Sequence, residues 1–212
     1  MRFPLIPTDG LCRICGRDAP GLTGDFVCSD CADTRPAFDR GASVFRFEGV
    51  ARVLVHKYKY RSAFWLLDDF VDFLESAARV RFMLDRVACV VPMPTSLLHR
   101  WLRGYNQSAL LAKPLAKRLE LPYRQLLRRI GNPPTQRKLK EKERRASARG
   151  TFDVTRSMKR FLESYDPETR PVVLLIDDIM TTGSTLSEAA RVLKAAGVRE
   201  VWTLTLARSV FN

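Results

Sequence analysis

The sequence predicts an α/β fold: a doubly wound parallel sheet with a small cysteine-rich module at its amino end. Three observations lead there. Short aliphatic runs at 87–91, 172–176 and 201–206 alternate with segments of helical periodicity, the pattern of a parallel sheet. Two of those runs end in polar loops, where sheets of this class bind their ligands. Four of the five cysteines are confined to residues 12–31. The division this suggests is a module over 1–40 and an α/β domain over 41–212.

The elements follow in order. Cys12-x2-Cys15 and Cys28-x2-Cys31 are two thiol pairs separated by twelve residues. Each CxxC folds as a tight knuckle that points both thiolates at one ion, and Gly16 suits such a turn. Four thiolates around Zn²⁺ close a tetrahedral site with no open position, so the metal would be structural. A segment of this size has few large apolar side chains, and metal binding worth roughly 10–16 kcal/mol would supply the stability it lacks. A redox pair or an iron–sulfur cluster is the alternative use of the same residues. Residues 42–47 read as a strand, and 49–60 as a short helix or bend rich in Lys and Tyr. Helical periodicity follows over 64–84, carried by Leu66, Leu67, Phe70, Val71 and Leu74. The strand 87–91 holds Cys89 as a core residue. A helix over 106–119 is expected to bend at Pro114. Residues 126–130 read as short strand or helix, 132–150 as a basic loop, 151–154 as a strand and 158–165 as a linker. The strand at 172–176 precedes a helix over 186–196, with Thr185 and Glu188 as its capping box and Gly197 ending it. The last strand is 201–206.

The segment 172–185 carries the chemistry. A strand buried on both faces ends in Asp177-Asp178, and a small-residue turn, Thr181-Thr182-Gly183-Ser184-Thr185, opens the next helix. Backbone N–H groups of 181–185 can wrap a phosphate, aided by the positive end of the helix dipole. The two carboxylates can accept hydrogen bonds from a pair of ribose hydroxyls. After the strand 87–91 come Pro92-Met93-Pro94, then Arg100 and Arg103-Gly104-Tyr105-Asn106-Gln107. Segment 173–185 resembles the phosphoribosyl pyrophosphate (PRPP) motif of type I phosphoribosyltransferases. PRPP with Mg²⁺ is the ligand that resemblance implies. In the phosphoribosyltransferase-like fold so implied, the loop after an early strand holds the pyrophosphate. Arg100 and Arg103 could clamp it there while Gly104 permits close backbone approach, or the arginines could be ordinary helix-entry residues.

Charge adds a second theme. The net charge is +13, and between residues 99 and 149 there are fifteen Lys/Arg against three acids. Such a run can be a solvated face, or it can meet a polyanion. In the second case Arg128, Arg129, Arg137, Lys138, Lys140, Lys142, Arg144 and Arg145 would neutralise phosphates of single-stranded nucleic acid, with Tyr58, Tyr60 or Trp101 as stacking surfaces.

Taken in order, the two CxxC pairs, Lys57-Tyr58-Lys59-Tyr60, Val-Pro-Met-Pro, Arg-Gly-Tyr-Asn-Gln, the segment 135–152 and the PRPP motif resemble the competence protein F (ComF) family. The chain departs from that pattern at Ser147, where the family usually carries Asn. The resemblance covers residues 10–208. It implies a zinc ribbon joined to a type I phosphoribosyltransferase-like domain. It also implies a role in natural transformation, with incoming single-stranded DNA and other DNA-uptake proteins as partners. Two related activities are disfavoured. Purine-salvage enzymes place an acidic base where this chain has Thr181, which cannot take a proton at neutral pH. Glutamine-dependent amidotransferases need an amino-terminal Cys and a glutaminase domain, whereas this sequence starts Met1-Arg2. A transferase with another acceptor, or a PRPP-sensing adaptor without turnover, stays open. No apolar run approaches the ~18 residues of a membrane span, and no signal peptide is evident, so membrane insertion is not expected and a cytoplasmic location is.

Overall fold

The computed structural model describes residues 4–19, 21–24, 26–95, 104–130 and 150–209. Its strands are β1 (Arg40–Arg46), β2 (Val87–Pro92), β3 (Leu127–Arg129), β4 (Phe152–Val154), β5 (Val172–Met180) and β6 (Glu200–Arg208). The helices are α1 (Ser29–Asp33), α2 (Gly49–Tyr60), α3 (Leu67–Arg81), α4 (Gln107–Arg118), α5 (Ser157–Glu163) and α6 (Ser184–Ala195). Four strands make one all-parallel sheet in the order β1-β6-β5-β2, and β3 and β4 pair antiparallel beside it.

Side-chain alternation along β5 explains the unbroken apolar run. Val172, Leu174 and Ile176 enter a core shared with Val55, Phe70, Leu74, Leu111 and Leu115 of α2, α3 and α4. Val173 and Leu175 point the other way, toward Leu186, Ala189, Ala190 and Leu193 of α6 and toward the cysteine module. A strand covered on both faces has no use for polar residues, and the sheet is doubly wound as expected.

Three local expectations change. Segment 158–165 is not a linker but contains α5, whose Met158 and Phe161, three residues apart, are buried under the sheet. Seven residues, about two helical turns, are too few for the period to show in the sequence. The strand after residue 172 does not stop before the acidic pair. It runs through Asp177 and Asp178 to Met180, because β6 stays paired with it as far as Arg208. The capping box is absent: the N-cap of α6 is Gly183, at φ +74°, and Thr185 lies inside the helix. Glu188 instead accepts from Gly150 N (2.9 Å) and pairs with Arg191 (2.8 Å). Residues 126–130 resolve as strand β3, and Pro114 sits inside α4.

The cysteine module rests on the sheet. Arg208 Nη1 donates to Cys15 O (2.5 Å), and Arg46 pairs with Asp18. Gly16 adopts φ +68°, and a Cβ there would meet Gly41 O of β1 at 2.4 Å, so the knuckle can approach the strand only with glycine at this position. Among the described residues, no helix is long and apolar enough to cross a membrane.

Candidate functional site

Strands β2 and β5 are parallel neighbours with Pro92 opposite Ile176, so their loops leave one edge of the sheet together. Met93 N donates to Ile176 O (2.9 Å). Asn106 then ties the next helix to this loop: its Nδ2 donates to Met93 O (2.9 Å), and its Oδ1 caps α4 by accepting from Ser108 N (3.1 Å). Buried Gln107 donates through Nε2 to Lys59 O (3.1 Å), while Tyr58 OH donates to Gln107 O (2.9 Å). The Asn-Gln pair is thus a joint between α2, α4 and the β2 loop.

That joint brings two side chains, Ser108 and Lys59, to the acidic pair. Ser108 Oγ donates to Asp177 Oδ1 (2.8 Å), which also accepts from Asp178 N (2.9 Å). Lys59 Nζ donates to Asp178 at both oxygens, 2.9 and 2.7 Å. Burial pushes the Asp177 carboxyl up to about 7, helped by the charge of Asp178 and opposed by Lys59 and Ser108. For Lys59, burial works against the ammonium, but the charges of Asp178 and Asp177 outweigh it and hold its pKa above the ordinary lysine value. Beyond the pair, Thr182 Oγ1 donates to Ser184 Oγ (2.9 Å) and accepts from Ser184 N (3.3 Å), while the N-cap Gly183 takes the left-handed conformation and has no side chain to cap α6. Carboxylates, hydroxyls and a glycine-opened helix start therefore share one end of the sheet.

The raised Asp177 pKa sets a pH dependence. The unfolded chain releases this proton near ~4, while the folded protein keeps it to about 7. This contribution to stability is complete below pH ~4, falls as pH rises toward ~7, and is flat above. Urea midpoints measured across this range should lose that slope in Asp177→Asn. A slope unchanged by the substitution would assign it to other groups.

The sequence-predicted residues divide as follows. Asp177, Asp178 and Thr181–Thr185 are brought together at the end of β5. Gly104 is at φ +78°, next to Tyr105, whose OH meets Ser62 Oγ (3.1 Å). Arg100 and Arg103, and Arg137, Lys138, Lys140, Lys142, Arg144 and Arg145 with Trp101, lie outside the described residues. Arg128 is exposed and paired with Asp153. Its neighbour Arg129 packs over the Phe152 ring at 5.6 Å and is lowered by burial, with Asp177 opposing that shift. Successive residues of β3 thus have different surroundings, one in solvent and one near the acidic pair. Tyr58 cannot stack a base. It is fully buried, edge-on to Phe70, because its hydroxyl holds the α2–α4 joint. Lys59 and Ser108 are the residues that sequence reasoning missed. Their only signal was their place inside the Lys-Tyr and Asn-Gln segments.

The four amino-terminal cysteines form a second centre. Cys12, Cys15, Cys28 and Cys31 are buried, with all four Sγ atoms within 4.8 Å of one another, and Cys15 and Cys28 are 3.7 Å apart. Sulfurs ~2.3 Å from a tetrahedral zinc would be ~3.8 Å apart, so the residues fit this metal. Proton balance agrees. A hydrogen bond from Cys15 pulls Cys12 down to about 4, which in turn raises Cys15, and burial pushes Cys31 up to about 12. A cation here would favour the thiolate form of its ligands. Arg208 supplies further positive charge at Cys15. Cys89 is not part of this ligand group and is buried in the same apolar core as the four.

Residues 106–209 match the phosphoribosyl transferase domain family, which places the α/β portion in that class and implies a phosphoribosyl ligand. The chain is 30% identical over 186 residues to Competence protein F of Haemophilus influenzae, covering 86% of this chain and 78% of that one. It is 28% identical to Competence protein ComFC of Bacillus subtilis (95% and 79% covered) and 26% identical to DNA utilization protein YhgH of Salmonella typhimurium (96% and 93%). The protein belongs to the competence protein F family.

Proposed function

We propose that the protein handles single-stranded DNA entering the cytoplasm during natural transformation and carries a PRPP site, with a structural zinc in residues 1–40 and the phosphoribosyltransferase-like domain in 41–212. The observation that carries the ligand is the placement of Asp177 and Asp178 at the same end of the sheet as the left-handed Gly183 and the start of α6. Asp177 and Asp178 accept the ribose hydroxyls, or a water on Mg²⁺, and the N–H groups of 181–185 hold the 5′-phosphate. Mg²⁺, when bound with PRPP, neutralises pyrophosphate charge. Arg100, Arg103 and Gly104 attend the pyrophosphate, and the basic block from Arg128 to Arg145 attends DNA. Lys59 already engages both oxygens of Asp178, so a ribose hydroxyl must share or displace that contact. The names of the relatives, competence and DNA utilization, support the nucleic-acid half of this reading.

Calorimetric titration with PRPP and Mg²⁺, AMP, and single-stranded DNA, singly and in competition, tests it. Removing one buried charged partner costs about 2–4 kcal/mol, so Asp178→Ala should weaken PRPP binding by tens to hundreds of fold. Unchanged binding would show that the acidic pair only supports the fold. Pyrophosphate release on adding candidate amines or bases would assign a transferase instead; binding without release fits a site that senses PRPP.

A further inference from the structure

A second concavity lies at the other end of the sheet. It encloses about 390 Å³ and is lined by Arg13 and Ile14 of the first knuckle, Arg35 and Arg40 around the start of β1, and Val80 and Arg81 at the end of α3. In register, Arg40 sits opposite Trp202, while Asp177 sits opposite Thr205 and Met180 opposite Arg208. The cavity therefore opens at the amino ends of the strands, some ~10–20 Å along the sheet from the acidic pair and the α6 turn.

Four arginines line this cavity, and the one carboxylate in the lining, Asp39, is engaged elsewhere. Asp39 is taken by Lys194 Nζ (2.8 Å) and accepts from Val201 N (2.9 Å). Arg40 is steadied over the Trp202 ring, 5.5 Å from its centroid, and Arg81 by donating to Thr8 O (2.9 Å). Arg13 and Arg35 are exposed, and among the described residues Arg13, Arg35 and Arg40 have no carboxylate in ion-pair reach. The lining offers no face for a base: Phe82 is buried and stacked on Trp202. Ile14 and the exposed Val80 add apolar contact that suits sugar rather than solvent ions. Planar, always charged donors on several sides of an open polar cavity match successive phosphate groups.

We propose that this cavity, formed where the cysteine module meets β1 and α3, binds consecutive phosphates of a single nucleic-acid strand through Arg13, Arg35, Arg40 and Arg81. It is separate from the phosphoribosyl edge and does not depend on that edge binding PRPP. Fluorescence anisotropy of a labelled oligothymidylate with the full chain, followed against salt, provides the test. Arg13→Gln/Arg35→Gln should weaken binding roughly tenfold and flatten the log–log salt slope by about 1.4, two phosphate contacts at ~0.7 each. Arg52→Gln/Arg160→Gln, which removes the same charge from exposed helix positions, should leave the slope near the parent value. Because Arg13 lies inside a knuckle, Arg35→Gln alone is also measured, with metal content confirmed; it should lose about half of the slope change. A parental slope in Arg35→Gln and in the double variant, or an equal loss in the Arg52/Arg160 control, overturns the proposal. Inorganic tripolyphosphate should compete with the oligonucleotide. If tripolyphosphate binding depends on Arg13 and Arg35 but oligonucleotide binding does not, the strand assignment fails.

Discussion

Stripping the metal from Cys12, Cys15, Cys28 and Cys31 is expected to unfold residues 1–40 and loosen one face of the sheet. Apart from an ion that these cysteines could hold, the module has little to stabilise it. Its helix α1 is five residues long, and the four cysteines make up much of its buried side-chain set. Metal binding in such modules is worth roughly 10–16 kcal/mol at neutral pH, more than the net stability of many domains. The consequence reaches beyond residue 40, since Arg208 of β6 donates to Cys15 O and Gly41 of β1 touches the same knuckle. Protein purified without added metal should contain about one equivalent of zinc, the stoichiometry of a closed four-thiolate site. Cys28→Ser, or a strong chelator, should give rapid proteolysis within 1–40 and a lower thermal midpoint for the remainder. Iron with visible absorbance, or no metal, would rule out the zinc assignment.

Replacing Lys59 by methionine should destabilise the fold by about 3–5 kcal/mol, the usual cost of leaving one partner of a buried ion pair uncompensated. Asp178 is 5% exposed and has Asp177 as its chain neighbour. Without the ammonium, two adjacent carboxyls share an apolar edge, and Asp177 should take up its proton at still higher pH. Adding Asp178→Asn to Lys59→Met should recover most of the loss, because both charges of the pair are then gone. Urea denaturation of the two single variants and the double reads this coupling directly. Additive losses would mean that Lys59 and Asp178 do not act as a pair.

Much of the architecture was open to sequence reasoning because it rests on local rules. Strand β5 is buried on both faces, so its run of aliphatic residues is conspicuous, and α3 and α4 bury enough residues at helical spacing to be read directly. The cysteine cluster was legible because metal geometry fixes ligand spacing. Shorter features were not. Helix α5 has only about two turns of pattern, and the end of β5 depends on how far β6 remains paired, which is a long-range fact. The capping box was a plausible local match defeated by a neighbour: Glu188 is drawn to Gly150 and Arg191 instead.

By itself, the sequence determined the parallel α/β class, the four-cysteine cluster and the acidic pair before a small-residue turn, because each is a contiguous pattern with its own period or spacing. Only the tertiary structure decided that Lys59 and Ser108 close on that pair, that Tyr58 is a buried strut, and that Arg13, Arg35, Arg40 and Arg81 line one cavity. Those contacts join segments up to 119 residues apart in the chain. No local propensity encodes such distances. They are set by which strands pair and which helix faces must be covered to keep apolar surface from water.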